Sequence, residues 1–205
     1  PLVISLEMNK FQEGYRFDTI VSGGEGFRNS QLSHGRDVDP EEYYKWVKTN
    51  FEGKQSFYLV TNEGLDAVDQ NMVQAKIEQY NPDLVILDYH GLFDDAHGGG
   101  NETERAKNLS KDFKRMAVKY QLPIIDIAAV TMEQNAQATR APELHEIAWS
   151  RQLSYDADLV VTVFRQPGSQ ILEVAAKKNR RGDLFAFELQ WDIDRGVIQP
   201  MYRGF

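Results

Sequence analysis

The sequence contains no cysteine among its 205 residues. This absence excludes disulfide bonds, thiol nucleophiles, iron–sulfur clusters and every zinc site built on cysteine, and it suits a reducing compartment. Long apolar runs are absent too, because stretches such as Leu84–Leu87 are far shorter than the roughly 20 residues of a membrane-spanning helix. The sequence therefore predicts a cytoplasmic protein without a membrane span.

Positive charge is scarce, since 23 Lys and Arg stand against 31 Asp and Glu for a net charge of -8. This balance is mildly unfavourable for a nucleic-acid-binding protein, because affinity for phosphates comes largely from cations. Hydrophobic residues make up 41% of the chain, which predicts a globular protein and not a disordered one. A chain of this length predicts one domain over residues 1–205.

Several catalytic motifs are missing as well. The sequence has no GxSxG elbow for acyl transfer and no phosphate loop of the form GxxxxGK-Ser/Thr. The stretch Gly23–Gly26 lacks the Lys-Ser or Lys-Thr of such a loop, so it predicts a turn that ends a helix. The four histidines, His34, His90, His97 and His145, share no metal-ligand spacing, so no histidine-based metal site is predicted.

Short apolar runs alternate with segments of helical periodicity through the first two-thirds of the chain. The strand candidates are Leu2–Leu6, Phe57–Val60, Leu84–Tyr89, Ile124–Ala129, Leu159–Phe164, Ile171–Ala176 and Leu184–Trp191. Helices are predicted over Asp66–Tyr80, over Glu102–Tyr120 and after Asp39-Pro40. Because parallel neighbours need a crossover, this pattern predicts an α/β fold with a mainly parallel twisted sheet flanked by helices. The last three strands have short links, which predicts an antiparallel meander at one edge.

Two polar segments separate the predicted elements. The Gly-rich stretch Asp94–Asn101 is predicted to be a flexible loop, and a second polar loop runs from about Glu133 to Pro142. The basic residues of Glu102–Tyr120 lie opposite its apolar stripe, and they are typical of a solvated helix surface.

Two acidic residues stand at the ends of predicted strands. Glu7 closes the first strand, and Asp88 closes the run Leu84–Leu87. Ligands of open α/β sheets bind outside the carboxyl ends of strands, so both carboxylates share one crevice if the strands are neighbours. There one acid can hold Mg²⁺ while the other takes a proton from an attacking water. Each acid taken alone is more typical of a helix cap or an ordinary loop residue, and only the two together bring the site interpretation level with that one.

A basic segment, Lys177–Gly182, joins two late strands and holds four cations. One interpretation is a charged hairpin tip that protects a sheet edge from pairing. The other is a cation supplied to a phosphate, either of a nucleic acid or of a nucleotide on a neighbouring subunit.

Six strings of the sequence match the order and spacing of the ATPase domain of the DnaB-type replicative helicases. They are Leu2–Met8, Pro82–Tyr89, Asn108–Ala117, Leu122–Ile125, Tyr155–Val160 and Lys177–Gly182. Because they cover nearly the whole chain, the sequence resembles that family. The resemblance implies a RecA-like ATPase domain of a homo-hexameric helicase that uses ATP and Mg²⁺ to move along single-stranded DNA. A primase or a helicase loader is an implied partner, and the divergence suggests a phage-encoded member.

The resemblance also implies roles for particular residues. Glu7 matches the family's catalytic glutamate, which polarises the attacking water, and Asp88 matches the aspartate that holds magnesium. Lys178 and Arg180 match the basic pair that reaches a nucleotide across a subunit interface.

Two loops, after Tyr89 and after Thr131, match those that contact the single strand in the central channel of the hexamer. Within them, Asn101 and Arg140 are the candidates for binding nucleic acid.

Two departures from the family pattern bear on activity. The family's phosphate loop, its Walker A motif, precedes the first strand, whereas this sequence opens at Pro1 directly into a strand without an initiating Met. We therefore expect a fragment that begins after that loop and is inactive by itself. The family usually carries Ser-Gln as a γ-phosphate sensor where this sequence has Ala128-Ala129, so Ala129 is a nucleotide-contact position without a polar group.

Both departures keep a second hypothesis open, a non-hydrolysing RecA-like binding or scaffold module of a replication complex. A recombinase or a clock-type ATPase is a third interpretation, and the string Asp156-Ala157-Asp158 argues against it.

Overall fold

The structure, a computed structural model, describes residues 1–23, 26–54, 57–65, 67–130, 139–147 and 150–201. Within these ranges the strands form two four-stranded sheets. The first sheet is parallel in the order β2–β1–β3–β4, with β1 at Leu2–Ser5, β2 at Tyr58–Thr61, β3 at Val85–Asp88 and β4 at Ile124–Asp126. The second is an antiparallel meander of β5 (Leu159–Phe164), β6 (Ile171–Asn179), β7 (Ala186–Asp192) and β8 (Val197–Pro200). The predicted α/β class is confirmed. The meander was expected to be three strands at one edge of the parallel sheet, but within the described ranges it has four strands that pair only with one another and form a sheet of their own.

The described helices are α1 (Lys10–Ser22), α2 (Asn29–His34), α3 (Pro40–Phe51), α4 (Gln70–Tyr80), α5 (Glu102–Tyr120) and α6 (Ser150–Asp156). The predicted helix at Asp66–Tyr80 begins instead at Gln70, because the carboxylate of Asp69 accepts the N–H of Met72 at 2.9 Å and caps it. None of the helices in the described ranges has the length and apolarity that crossing a lipid bilayer requires.

Helices α1, α2 and α6 and strand β8 were not among the predicted elements. Helix α1 begins with a capping box between Asn9 and Gln12, and it ends at Gly23, whose φ of 74° suits a residue without a side chain. The predicted helix-ending turn therefore begins where expected, while Gly24 and Glu25 lie outside the described residues. Strand β8 has the sequence Val-Ile-Gln-Pro, whose two apolar residues are followed by a polar residue and a proline, so it shows neither an apolar run nor alternation.

The main core lies between the parallel sheet and the two helices α4 and α5. It joins Leu2, Ile4, Val85 and Leu87 of the sheet to Val73, Ile77, Leu109 and Phe113 of the helices, among others. The periodicity that predicted α5 reflects this contact, because the helix residues that recur every three or four positions face the sheet. Burial of these side chains fixes the strand ends that carry the candidate site.

A set of hydrogen bonds organises the segment Asp94–Asn101, which the sequence predicted to be flexible. The carboxylate of Asp95 accepts from the side chains of Gln70 and Asn108, both at 2.8 Å, and from the backbone N–H groups of His97 and Gly99. Glycine content alone is therefore a poor guide here, since one acid ties the loop to two helices.

Candidate functional site

Glu7 and Asp88 follow neighbouring strands. Strands β1 and β3 pair in parallel, and Ser5, the last residue of β1, lies opposite Asp88. The backbone N–H of Leu6 donates to the carbonyl of Asp88 at 2.7 Å, which continues the ladder beyond β1. The two acids that the sequence placed at strand ends therefore lie at one edge of the sheet, where open α/β sheets bind ligands.

Two further contacts hold the end of β1. The side-chain amide of Asn62, just after β2, donates to the carbonyl of Leu6 at 3.2 Å. The hydroxyl of Ser5 donates to Oε1 of Glu13, in the first turn of α1, at 2.7 Å. These bonds fix the backbone that carries Glu7, whose own side chain is exposed.

The electrostatics of the edge centre on Asp88. Partial burial raises the pKa of its carboxyl, and the nearby carboxylates of Glu13 and Glu7 raise it further, while Arg16 partly opposes them. Among the described residues, no protein group donates a hydrogen bond to this carboxylate. Sequence reasoning missed Ser5, Glu13 and Arg16, because α1 was not predicted and its register against the strands was unknown.

The chemistry of Asp88 fits a magnesium-bound nucleotide. A carboxylate that is crowded by like charges and unpaired by protein cations is stabilised when a divalent cation binds. In the described part of the chain no three acidic or histidine side chains form a cluster able to hold a metal ion alone. At phosphate sites Mg²⁺ is held by one or two carboxylates, and waters and phosphate oxygens complete the coordination.

The neighbouring strand end, after β4, lacks a polar group at the predicted sensor position. Ala128 is half-buried and Ala129 is exposed, and a methyl group can neither donate nor accept a hydrogen bond. The same strand end holds a buried pair that the sequence did not predict, since Nδ1 of His90 lies 2.7 Å from Oδ2 of Asp126. The isolated histidines carried no spacing signal that could have found it.

The predicted basic pair lies on the second sheet, where it contacts the end of α6. The ammonium group of Lys178 donates to the carbonyls of Ser154, Tyr155 and Ala157. Burial and the neighbouring Arg180 lower the pKa of Lys178.

Arg180 is the more exposed partner, with 51% of its side chain accessible, and it donates to Oδ1 of Asp158 at 2.9 Å. The string Asp156-Ala157-Asp158 and the basic segment are thus in contact. The structure places neither cation in contact with Glu7 or Asp88.

The two predicted nucleic-acid contacts already bond within the chain. The side chain of Asn101 caps α5, accepting the N–H of Glu104 at 2.9 Å. The guanidinium of Arg140 donates to both carboxylate oxygens of Glu146, at 2.9 and 3.1 Å, and this pair lowers the pKa of Glu146 to about 2. Most of the loop after Thr131, over residues 131–138, lies outside the described residues.

Comparison with known proteins agrees with the fold. Residues 1–196 match the family described as the DnaB-like helicase C-terminal domain. A match over nearly the whole chain shows that this chain belongs to the DnaB-like helicase C-terminal domain family.

A curated relative, a probable plasmid replicative DNA helicase of Chlamydia trachomatis serovar L2, is 22% identical over 191 residues. The match covers 92% of this chain and 41% of the relative, so the chain spans less than half of that protein.

Two solved structures have the same fold. A DnaB-like replicative helicase, described with its interactions with primase, superimposes with a TM-score of 0.81 at 22% identity, covering 98% of this chain and 50% of that one. An ATPase domain gives a TM-score of 0.80 at 22% identity, covering 98% of this chain and 74% of that one. The predicted RecA-like arrangement is thus confirmed as the fold.

Proposed function

We propose that this chain is part of the ATPase motor of a hexameric replicative DNA helicase. The observation that carries the proposal is the pairing of β1 with β3, which brings Glu7 and Asp88 to one edge of the sheet. Membership of the DnaB-like family supports it. The cofactors proposed are ATP and Mg²⁺, the substrate is DNA bound as a single strand, and a primase or a loader is a further partner.

The roles divide between the two acids. Asp88, fixed at the end of a buried strand, is the carboxylate that holds Mg²⁺, which supplies positive charge to the phosphates when it is bound. Glu7 is exposed, so its carboxylate is free to orient a water and take its proton. Arg180 and Lys178 act on the nucleotide of a neighbouring subunit, and Asn101 and Arg140 lie beside the nucleic-acid strand.

Arg180 suits a role across an interface better than Lys178 does. Its guanidinium is about half exposed and is held by an exposed ion pair with Asp158, which is cheap to exchange, and by one hydrogen bond to the carbonyl of Tyr155 at 3.2 Å. Lys178 donates to three carbonyls at the end of α6 and would have to leave them. A planar, permanently charged group is also the better partner for phosphate oxygens.

A second candidate is a nucleotide-binding scaffold without hydrolysis. Ala129 favours it, because an exposed methyl group cannot sense a γ-phosphate by hydrogen bonding. A motor and a scaffold would share the same fold, and they would differ in whether they hydrolyse ATP.

The test measures binding and hydrolysis of magnesium-ATP in the full-length protein, with and without single-stranded DNA. Glu7→Gln should retain nucleotide binding and lose hydrolysis by about 10²–10⁴-fold, the usual contribution of a general base. Glu63→Gln, which removes an exposed carboxylate after β2, is the matched control and should hydrolyse normally. Tight binding without turnover in the unaltered protein would favour the scaffold, and a fully active Glu7→Gln variant would remove Glu7 from the catalytic role.

A further inference from the structure

A buried histidine joins the carboxyl ends of β3 and β4, close to Asp88. His90 is fully buried and opens a short 3₁₀ turn that follows β3. Its ring meets the edge of Phe113 in α5, with the ring centres 6.1 Å apart and the planes at 88°. The position is part of the core, although the residue is polar.

Three contacts connect His90 to the elements around it. Nδ1 lies 2.7 Å from Oδ2 of Asp126, and Nε2 lies 3.2 Å from the carbonyl of Ala106. The backbone N–H of His90 donates to the carbonyl of Ile127 at 2.8 Å. His90, which lies two residues after the end of β3, is thus fixed both to the end of β4 and to α5.

The carboxylate of Asp126 depends on His90 for a hydrogen-bond partner. Its side chain is only 18% exposed, and its second oxygen, Oδ1, is buried with no hydrogen-bond partner in the described part of the chain. Burying a carboxylate costs free energy that an apolar pair of similar size would not, and removing one partner leaves the other stranded. A packing role alone therefore accounts poorly for the pair.

The strand pairing on the two sides of Asp88 shows what the contact between His90 and Asp126 adds to the structure. On one side, Asp88 is held by β1, through the N–H of Leu6. On the other side, the last paired residues of β3 and β4 are Leu87 and Asp126, and one further backbone bond runs from the N–H of Ile127 to the carbonyl of Leu87 at 3.0 Å. The strand ladder thus stops just before Asp88 on that side, and the contacts of His90 continue the connection past it.

We propose that His90 and Asp126 are positioning residues for the nucleotide site. They hold the end of β3, and with it the Asp88 carboxylate, against the end of β4. This inference rests on the proposed function, in which Asp88 holds the magnesium of the nucleotide. A carboxylate that can shift against its metal loses affinity even when the fold persists.

The test compares four variants of the full-length protein. His90→Asn places an amide N–H near the position of Nδ1 and can keep the bond to Asp126, whereas His90→Gln reaches toward the position of Nε2 and cannot. Asp126→Ala removes the carboxylate, and Asp126→Asn keeps its shape. The readouts are hydrogen exchange at the amides of His90 and Ile127, thermal stability, and the Mg²⁺ dependence of nucleotide binding by calorimetry.

Asp126→Ala and His90→Gln should raise the Mg²⁺ concentration for half-maximal binding on the order of tenfold and speed exchange at both amides. His90→Asn should stay close to the unaltered protein in both readouts. Asp126→Asn can still accept from Nδ1 through its amide oxygen and should also stay close to the unaltered protein. If Asp126→Ala does not fold, His90→Gln carries the test.

Folded variants that lose thermal stability but keep the original Mg²⁺ dependence would overturn the inference and leave a purely structural pair. An unaltered protein that binds no magnesium-nucleotide would instead refute the proposed function. In that case unchanged exchange in His90→Gln would show that the pair does not hold the strand ends either.

Discussion

Asp88 lies opposite Ser5 in the register of two parallel strands, and its carbonyl accepts the N–H of Leu6 at 2.7 Å. This relationship sets the place of Glu7, which follows Leu6, relative to the Asp88 carboxylate. The site therefore depends on strand pairing within the buried sheet, so its geometry persists when one acid is changed to its amide.

Asp88→Asn should weaken binding of magnesium-ATP by at least about tenfold, because even changes beside a metal ligand commonly cost that much. Without Mg²⁺ the variant should bind nucleotide at least as well as the unaltered protein, since the amide removes repulsion of the phosphates. Calorimetric titration with and without Mg²⁺ measures both. Equal affinities in the presence of Mg²⁺ would contradict the role of Asp88 as the metal carboxylate.

The raised pKa of Asp88 predicts a pH-dependent penalty on folding. In the unfolded chain the Asp88 carboxyl has a pKa near 3.8. In the folded protein this carboxyl ionises only at higher pH, because of burial and the carboxylates of Glu13 and Glu7. The penalty is absent below 3.8 and grows as the pH rises through the folded pKa. Asp88→Asn should therefore be more stable than the unaltered protein at pH 7, by less than about 1 kcal/mol because solvent screens the site.

Near pH 3 this difference should vanish, because Asp88 is then protonated in both states. Thermal unfolding in magnesium-free buffer across this range measures it. Asp83→Asn removes a fully exposed carboxylate and serves as the control. A stability difference that does not change with pH would show that the charge of Asp88 is not its origin.

Asp95→Ala should destabilise the protein by about 1–3 kcal/mol, because the amide of the buried Gln70 loses its acceptor. Burial acts to raise the pKa of Asp95, but the hydrogen bonds from Asn108, Gln70 and two backbone N–H groups outweigh it and lower the pKa to about 2. The stabilisation is therefore present above pH 3.8 and is lost as the pH falls toward about 2.

Urea unfolding at several pH values, with hydrogen exchange at His97 and Gly99, tests this prediction. The difference in free energy of unfolding between Asp95→Ala and the unaltered protein should become smaller in acid. The amides of His97 and Gly99 should exchange faster in the variant. Unchanged exchange would mean that the loop is ordered by other contacts.

Substitutions of Lys178 and Arg180 should affect different properties, namely stability for Lys178 and ATP hydrolysis for Arg180. Lys178→Met should lower stability by about 1–2 kcal/mol, because the carbonyls at the end of α6 lose a charged donor. Arg180→Ala should still fold, since it loses an exposed ion pair and one hydrogen bond to the carbonyl of Tyr155, and should reduce ATP hydrolysis on the order of 10³-fold. Arg181→Ala, next in the chain, is the control.

Mixing experiments test whether Arg180 acts across an interface. Arg180→Ala subunits combined with subunits altered in the phosphate loop should regain some hydrolysis, because mixed rings contain interfaces with both groups intact. Verified mixed rings without any recovery would count against action in trans. Normal hydrolysis by Arg180→Ala alone would favour a charged hairpin tip instead.

The amino-acid sequence by itself determined the class of fold and the position of the two acids along the chain. Runs of β-branched and aliphatic residues such as Leu84–Leu87 are buried wherever they pair, and helices must then cross over between parallel strands. The polar residue that ends such a run lies at the sheet edge whatever the strand order. For that reason Glu7 and Asp88 were recognisable in advance.

Only the tertiary structure decided which residues surround those acids. Glu13 and Arg16 reach Asp88 because α1 packs with one particular register, and local periodicity did not reveal that helix. His90 and Asp126 meet across 36 positions of sequence, and neither residue carries a pattern that announces the other. Such contacts depend on the relative placement of strand ends, which the packing of the whole core sets.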